Sequence, residues 1–142
     1  MRQALGTDKY THKHILKISP LKLRAAGLSG SKVKYIKGIA LAMDKKQLDF
    51  KKIRLMDDEQ VIAELVKLKG IGRWTAEMIL MFTVNRPDIF PVDDIGIRNE
   101  LKKMYGIEGE GKKFIEQMHQ VSALWKPYRT LACRHLWRHR DQ

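Results

Sequence analysis

One short string limits what this chain can fold into. Gly70-Ile71-Gly72 cuts between two stretches of strong helical periodicity. Upstream, Val61, Ile62, Leu65 and Leu68 recur at three- and four-residue spacing, and downstream Trp74, Met78, Ile79, Met81 and Phe82 resume it. Apolar residues so spaced share one helix face. Two helices joined by so short a link must reverse tightly, and glycine permits turns and close approaches that a Cβ forbids. Segment 61–84 therefore reads as a helix, a hairpin and a helix. A plain αα-turn needing glycine fits the same string.

The rest of the chain agrees. Strand patterns are nearly absent, and helical signals recur. Ser19-Pro20 is a helix start, because Ser caps and Pro suits the first turn; that helix stops near Gly27. Ser29 to Ser31 opens another, with Val33, Ile36, Ile39, Ala40 and Met43 on its apolar face. Asp57 with Gln60 forms an acidic capping box before Val61. Asn85-Arg86-Pro87-Asp88 reads as a turn, and Asp93 or Asp94 caps a helix holding Ile97 and Leu101. Two more helices follow, from about Phe114 to Leu124 and from Pro127 to about Arg138. The expectation is an all-α single domain over 1–142 with six or seven short helices, preceded by a poorly defined segment at 1–14.

Charge narrows the partners. Lys and Arg number 28 against 16 Asp and Glu, a net charge of +12. Such an excess favours a polyanion, since each neutralised phosphate releases a condensed counterion. An RNA-binding domain or an acidic membrane surface would also suit it. The single cysteine, Cys133, excludes an internal disulfide and a Cys-rich zinc or iron–sulfur site; it reads as a small core residue in a reducing compartment. No apolar run approaches the roughly eighteen residues of a membrane span, and no signal-peptide pattern opens the chain. The expected setting is intracellular: cytoplasm and nucleoid, or the nucleus of a eukaryote.

The hairpin has a longer signature, Leu68-Lys69-Gly70-Ile71-Gly72-Arg73-Trp74-Thr75-Ala76. A helix N-terminus directly after the glycines offers unpaired N–H groups and partial positive charge to a phosphate. Lys69 and Arg73 add cations. This string resembles the hairpin of the helix-hairpin-helix DNA glycosylase superfamily. The resemblance implies that Lys69, Gly70, Gly72, Arg73 and Thr75 bind a DNA backbone irrespective of sequence. Similar hairpins occur in polymerases, ligases and nucleases, where they only bind.

About twenty residues on stands Phe90-Pro91-Val92-Asp93-Asp94-Ile95-Gly96-Ile97-Arg98. The superfamily places one essential Asp at this distance, and this segment is most similar to the 3-methyladenine glycosylase II type. The resemblance implies Asp94 as the catalytic carboxylate, with Asp93 as helix cap or supporting residue. A register shift of one would exchange the two roles, and both could be plain N-caps. Cleaving an N-glycosidic bond develops positive charge on the sugar, which a fixed anion stabilises while orienting the attacking water.

Relatives that also cut the backbone carry a Schiff-base lysine two residues after the second hairpin glycine. Here that position is Trp74, which implies a monofunctional enzyme using water. The string Trp125-Lys126-Pro127-Tyr128-Arg129, running on to Ala132, His135 and Trp137, is similar to the family's C-terminal helix. By that likeness Trp74 and Trp137 wall the base pocket, where an indole face attracts a cationic alkylpurine, and Trp125 belongs to the core. The five histidines show no convincing ligand spacing, so no side-chain metal site and no cofactor are expected. The implied partner is double-stranded DNA containing damaged bases, with no membrane.

The resemblance covers about residues 15–139. The family's usual N-terminal helices, with a Gln-Gln-containing segment and a residue that wedges into the DNA stack, have no counterpart in this sequence. Another chain or segment would then supply them. The sequence thus carries two main readings: a base-excising glycosylase for alkylated purines, or a noncatalytic DNA-binding module that kept the hairpin.

Overall fold

In the computed structural model, residues 11–140 are described. Among them are nine α-helices, one π-helical turn and no strand. The chain divides into two compact units, one ending at Gly72 and one beginning at Arg73. No helix of the described residues is long and apolar enough to cross a membrane.

The first unit holds α1 (His12–Lys17), α2 (Pro20–Ala25), α3 (Gly30–Asp44), α4 (Phe50–Ile53) and α5 (Asp58–Val66). Each begins on a short polar side chain that accepts an otherwise orphaned backbone N–H: Thr11, Ser19, Ser29, Asp49 and Asp57. The Asp57 box closes both ways, Gln60 N donating to Asp57 Oδ1 at 2.8 Å and Asp57 N to Gln60 Oε1 at 3.1 Å. Lys37 Nζ donates to the Leu16 carbonyl at 2.9 Å, tying α1 to α3. Leu23, Val61 and Leu65 are wholly buried, each stabilising the unit by about 1.5–3 kcal/mol. The turn after α5 needs its first glycine: Gly70 has φ +95°, and a Cβ there would run into the Tyr35 ring. Gly72 faces open space and has no such constraint.

The second unit opens with α6 (Arg73–Ile79), runs through the π turn Leu80–Val84 and reverses at Asn85 (φ 62°). A loop leads to α7 (Ile95–Tyr105), followed by α8 (Gly111–Ala123) and α9 (Arg129–Arg140). Leu80, Ile97, Leu101, Met118 and Cys133 are fully buried in its core. Trp125 is half-buried, its ring 6.1 Å from both Phe90 and Tyr105.

The loop is stapled to the start of α9. Arg129 Nε and Nη2 donate to the two oxygens of Asp88 at 2.7 and 2.9 Å. Thr130 Oγ1 donates to the Arg86 carbonyl at 2.8 Å and accepts Ile89 N at 3.0 Å. With the loop fixed, α9 packs along α7.

The helix count exceeds the six or seven read from the sequence. The two additions, α1 and α4, have six and four residues, too short to show an apolar period. Part of the expected ill-defined segment 1–14 is helical from His12, capped by Thr11; residues 1–10 lie outside the described residues. The last helix begins at Arg129 and not at Pro127.

Candidate active site

Asp94 is the N-cap of α7 and is 8% exposed. Its carboxylate gathers donors from three places in the second unit. Oδ1 accepts Ile97 N at 2.8 Å and the Trp137 indole Nε1–H at 2.9 Å. Oδ2 accepts the Trp74 indole Nε1–H at 2.8 Å. α6, α7 and α9 thus each contribute one fixed group to a single carboxylate.

Burial pushes the Asp94 pKa up, because a charge in a poorly hydrated place is costly. The bonds from Trp137, the Ile97 amide, Trp74 and the Gly96 amide together outweigh that effect and hold the carboxyl below its ordinary range. The group is therefore an anion at neutral pH. Nearby, burial first and then the Asp94 charge push the Cys133 thiol up to about 12, so it stays an inert core thiol.

The sequence-derived set separates cleanly. Asp94, Trp74 and Trp137 come together. Asp93 does not: it is exposed and ion-paired to Arg98 Nη2 at 2.7 Å, and of the two aspartates that could cap this helix it is Asp94 that does so. Arg73 and Thr75 open α6, where Arg73 Nε donates to the buried Glu77 at 3.2 Å and Thr75 is half-buried. Lys69, Gly70 and Gly72 close the first unit and are solvent-exposed. His139 pairs with Glu100 at 2.7 Å and His135 is exposed. Among the described residues no three His, Cys, Asp or Glu side chains converge to hold a metal ion.

Two neighbours were not foreseen. Phe82, 52% exposed, lies 5.9 Å from the Trp137 ring at a tilt of 32°. The π turn carries it there; extra residues in a turn leave no mark on periodicity. Gly96, at the second position of α7, is pressed against Trp137, Asp94 and Arg140. A glycine just inside a capped helix was the available signal.

A family model described as HhH-GPD superfamily base excision DNA repair protein matches residues 3–127. The chain belongs to the HhH-GPD superfamily. Among curated relatives, an alkylbase DNA glycosidase-like protein of Schizosaccharomyces pombe is 36% identical over 95% of this chain and 63% of its own length. DNA-3-methyladenine glycosylase 1 of the same yeast is 36% identical over 82% of this chain and 50% of its own. The crystal structure of a DNA-3-methyladenine glycosidase from Bacillus halodurans superposes with a TM-score of 0.79 at 35% identity, covering 98% of this chain and 63% of that one. A 3-methyladenine DNA glycosylase of S. pombe, in complex with abasic DNA, gives 0.81 at 30% identity over 93% and 64%. This HhH-GPD chain thus spans about half to two thirds of the length of these relatives.

Proposed function

We propose that this HhH-GPD chain binds damaged duplex DNA and hydrolytically removes alkylated purines of the 3-methyladenine type, with Asp94 as the catalytic carboxylate. One observation carries the reading: a buried carboxylate held anionic by two indole N–H groups and a helix N-terminus. A plain cap needs only the Ile97 bond. The two tryptophan bonds orient the anion more firmly than capping requires, and pre-oriented charge is what an oxocarbenium-like sugar demands.

The depressed pKa supports one role over the other. A weakly basic carboxylate is a poor proton acceptor, so Asp94 stabilises the sugar cation and orients water more than it deprotonates it. An alkylated purine is often cationic and leaves without a strong acid. Oδ2 has fewer hydrogen bonds from the chain than Oδ1 and is the oxygen that faces the water or sugar.

Trp74 and Trp137 then serve twice, their edges fixing the carboxylate and their faces walling the extruded base. Trp74 occupies the hairpin position of the lyase-type amine, so the sugar is attacked by water and the strand stays intact. Lys69, Gly70, Gly72, Arg73 and Thr75 hold phosphates; the open space over Gly72 suits a close backbone approach. Asp93 supports only weakly, from outside, by its exposed ion pair to Arg98 in the first turn of α7.

The test is chromatographic. Purified protein is incubated with a methylated duplex, and the soluble fraction is analysed for free alkylated purine. Release at a rate above that of DNA alone is the expected result. Duplex binding with no release would establish the noncatalytic reading instead.

A further inference from the structure

Gly96 is helical, and its φ lies outside the left-handed region. Backbone conformation therefore does not require glycine there, and alanine is the better helix former. Gly30 and Gly38, also helical, would each place a Cβ in open space. Gly96 would not: its Cβ would lie 3.1 Å from Asp94 Oδ1, 3.3 Å from Trp137 Cδ1 and 2.7 Å from Arg140 Nη1.

Those atoms have a specific meaning. Asp94 Oδ1 is the acceptor of the Trp137 hydrogen bond, and Cδ1 is the ring carbon bonded to the donor Nε1. An added methyl group would touch both partners of that one bond, each closer than the 3.5–4 Å or so of ordinary carbon contact. At 2.7 Å the Arg140 guanidinium, the end of a flexible chain, must shift. Oδ1 cannot move as easily, being held also by Ile97 N at 2.8 Å. Nor can α9 simply retreat, because Glu100, one turn along α7, grips His139 at 2.7 Å.

We infer that Gly96 is a positioning residue of this site: the missing side chain at the second position of α7 is what lets the Trp137 indole reach the Asp94 carboxylate. The inference rests on the role proposed above for Asp94, and a contact at Gly96 acts on the reaction only through that hydrogen bond. A few tenths of an ångström would open between donor and acceptor. Misplacement by about 1 Å costs on the order of a hundredfold in rate, so this smaller shift should cost several-fold to about tenfold.

The test is Gly96→Ala, made in the full chain, alone and combined with Trp137→Phe. The single variant should stay folded, with a thermal midpoint within a few degrees of wild type, and keep its affinity for duplex DNA. Its single-turnover excision should slow several-fold to about tenfold. In the Trp137→Phe background the same change should have no further effect, because the bond it disturbs is already gone. A readout independent of activity is the indole N–H resonance of Trp137 in a proton–nitrogen correlation spectrum, assigned by its loss in Trp137→Phe. It should move upfield in Gly96→Ala as the bond lengthens. An unmoved Trp137 resonance, or rate effects that simply add in the double variant, would overturn the inference. A wild-type chain that excises nothing would sink the proposed function instead, and the resonance would still decide the role of Gly96.

Discussion

Asp94→Asn is the substitution whose consequences the geometry specifies most fully. Asparagine is as good an N-cap as aspartate, so α7 keeps its start. The conflict lies elsewhere. Besides the Gly96 amide, three N–H groups converge on the carboxylate, from Ile97, Trp137 and Trp74. Asparagine has only one acceptor oxygen. Placed at the Oδ1 position it satisfies Ile97 and Trp137, and its NH2 group then confronts the Trp74 N–H now 2.8 Å from Oδ2. The reverse orientation is worse, facing two donors. One indole donor therefore loses its partner, at about 1–3 kcal/mol. Charge works in the same direction. Because the carboxyl sits below its ordinary range, the fold favours the anion, and neutralising it forfeits that preference. For a domain of this size the thermal midpoint should fall by about 3–10 °C. Excision should fall on the order of a hundred- to a thousandfold, the scale of losing one transition-state electrostatic group, while duplex binding persists. Calorimetry and single-turnover base release on the same preparation check both numbers. An Asp94→Asn protein with unchanged midpoint and unchanged rate would refute the convergence of donors on this carboxylate.

Other expectations follow from the same site. Asp94 contributes stability that is present above its unfolded value, near 3.8, and is lost only as pH falls through the lower folded value. Excision should thus be flat towards acid until below that range, and Trp137→Phe should move the acid limb upward; a wild-type limb at higher pH, unmoved in the variant, would assign it to another group. Asp93→Asn disturbs an exposed ion pair with Arg98, which contributes little, so rate and midpoint should stay near wild type. Activity lost in Asp93→Asn and kept in Asp94→Asn would exchange the two aspartates. Borohydride added during turnover should trap no covalent protein–DNA adduct, since Trp74 stands where the amine would be; a stoichiometric adduct abolished by one lysine substitution would contradict the water mechanism.

Much of this was legible in the sequence because it is local. Ser29 and Asp57 act on backbone groups within a few residues, and the positive φ of Gly70 is equally local, so their signals survive without tertiary information. Cys133 is buried in the core, as its type suggested, whereas Trp125, expected there too, is only half-buried beside Phe90 and Tyr105. What escaped depends on long-range geometry. Asp93 and Asp94 are equally good caps by type, and only the packing of α6 and α9 shows which one is buried. That Trp74 and Trp137 turn their N–H edges to Asp94 depends on partners 20 and 43 residues away. The π turn that brings Phe82 beside Trp137, and the crowding at Gly96, arise from contacts that no period encodes.

The central claim is that Asp94 stabilises positive charge on the deoxyribose, and the most direct measurement is the affinity for a charge mimic. Two duplexes are compared, one with a cationic pyrrolidine in place of the damaged nucleoside and one with a neutral tetrahydrofuran. A transition-state mimic should bind on the order of a hundredfold or more tighter than its ground-state counterpart. The account predicts a strong preference for the cationic duplex in the wild-type protein and its loss in Asp94→Asn, with tetrahydrofuran binding nearly the same in both. Equal affinity of the wild type for the two duplexes, or a cationic preference that survives in Asp94→Asn, would contradict it.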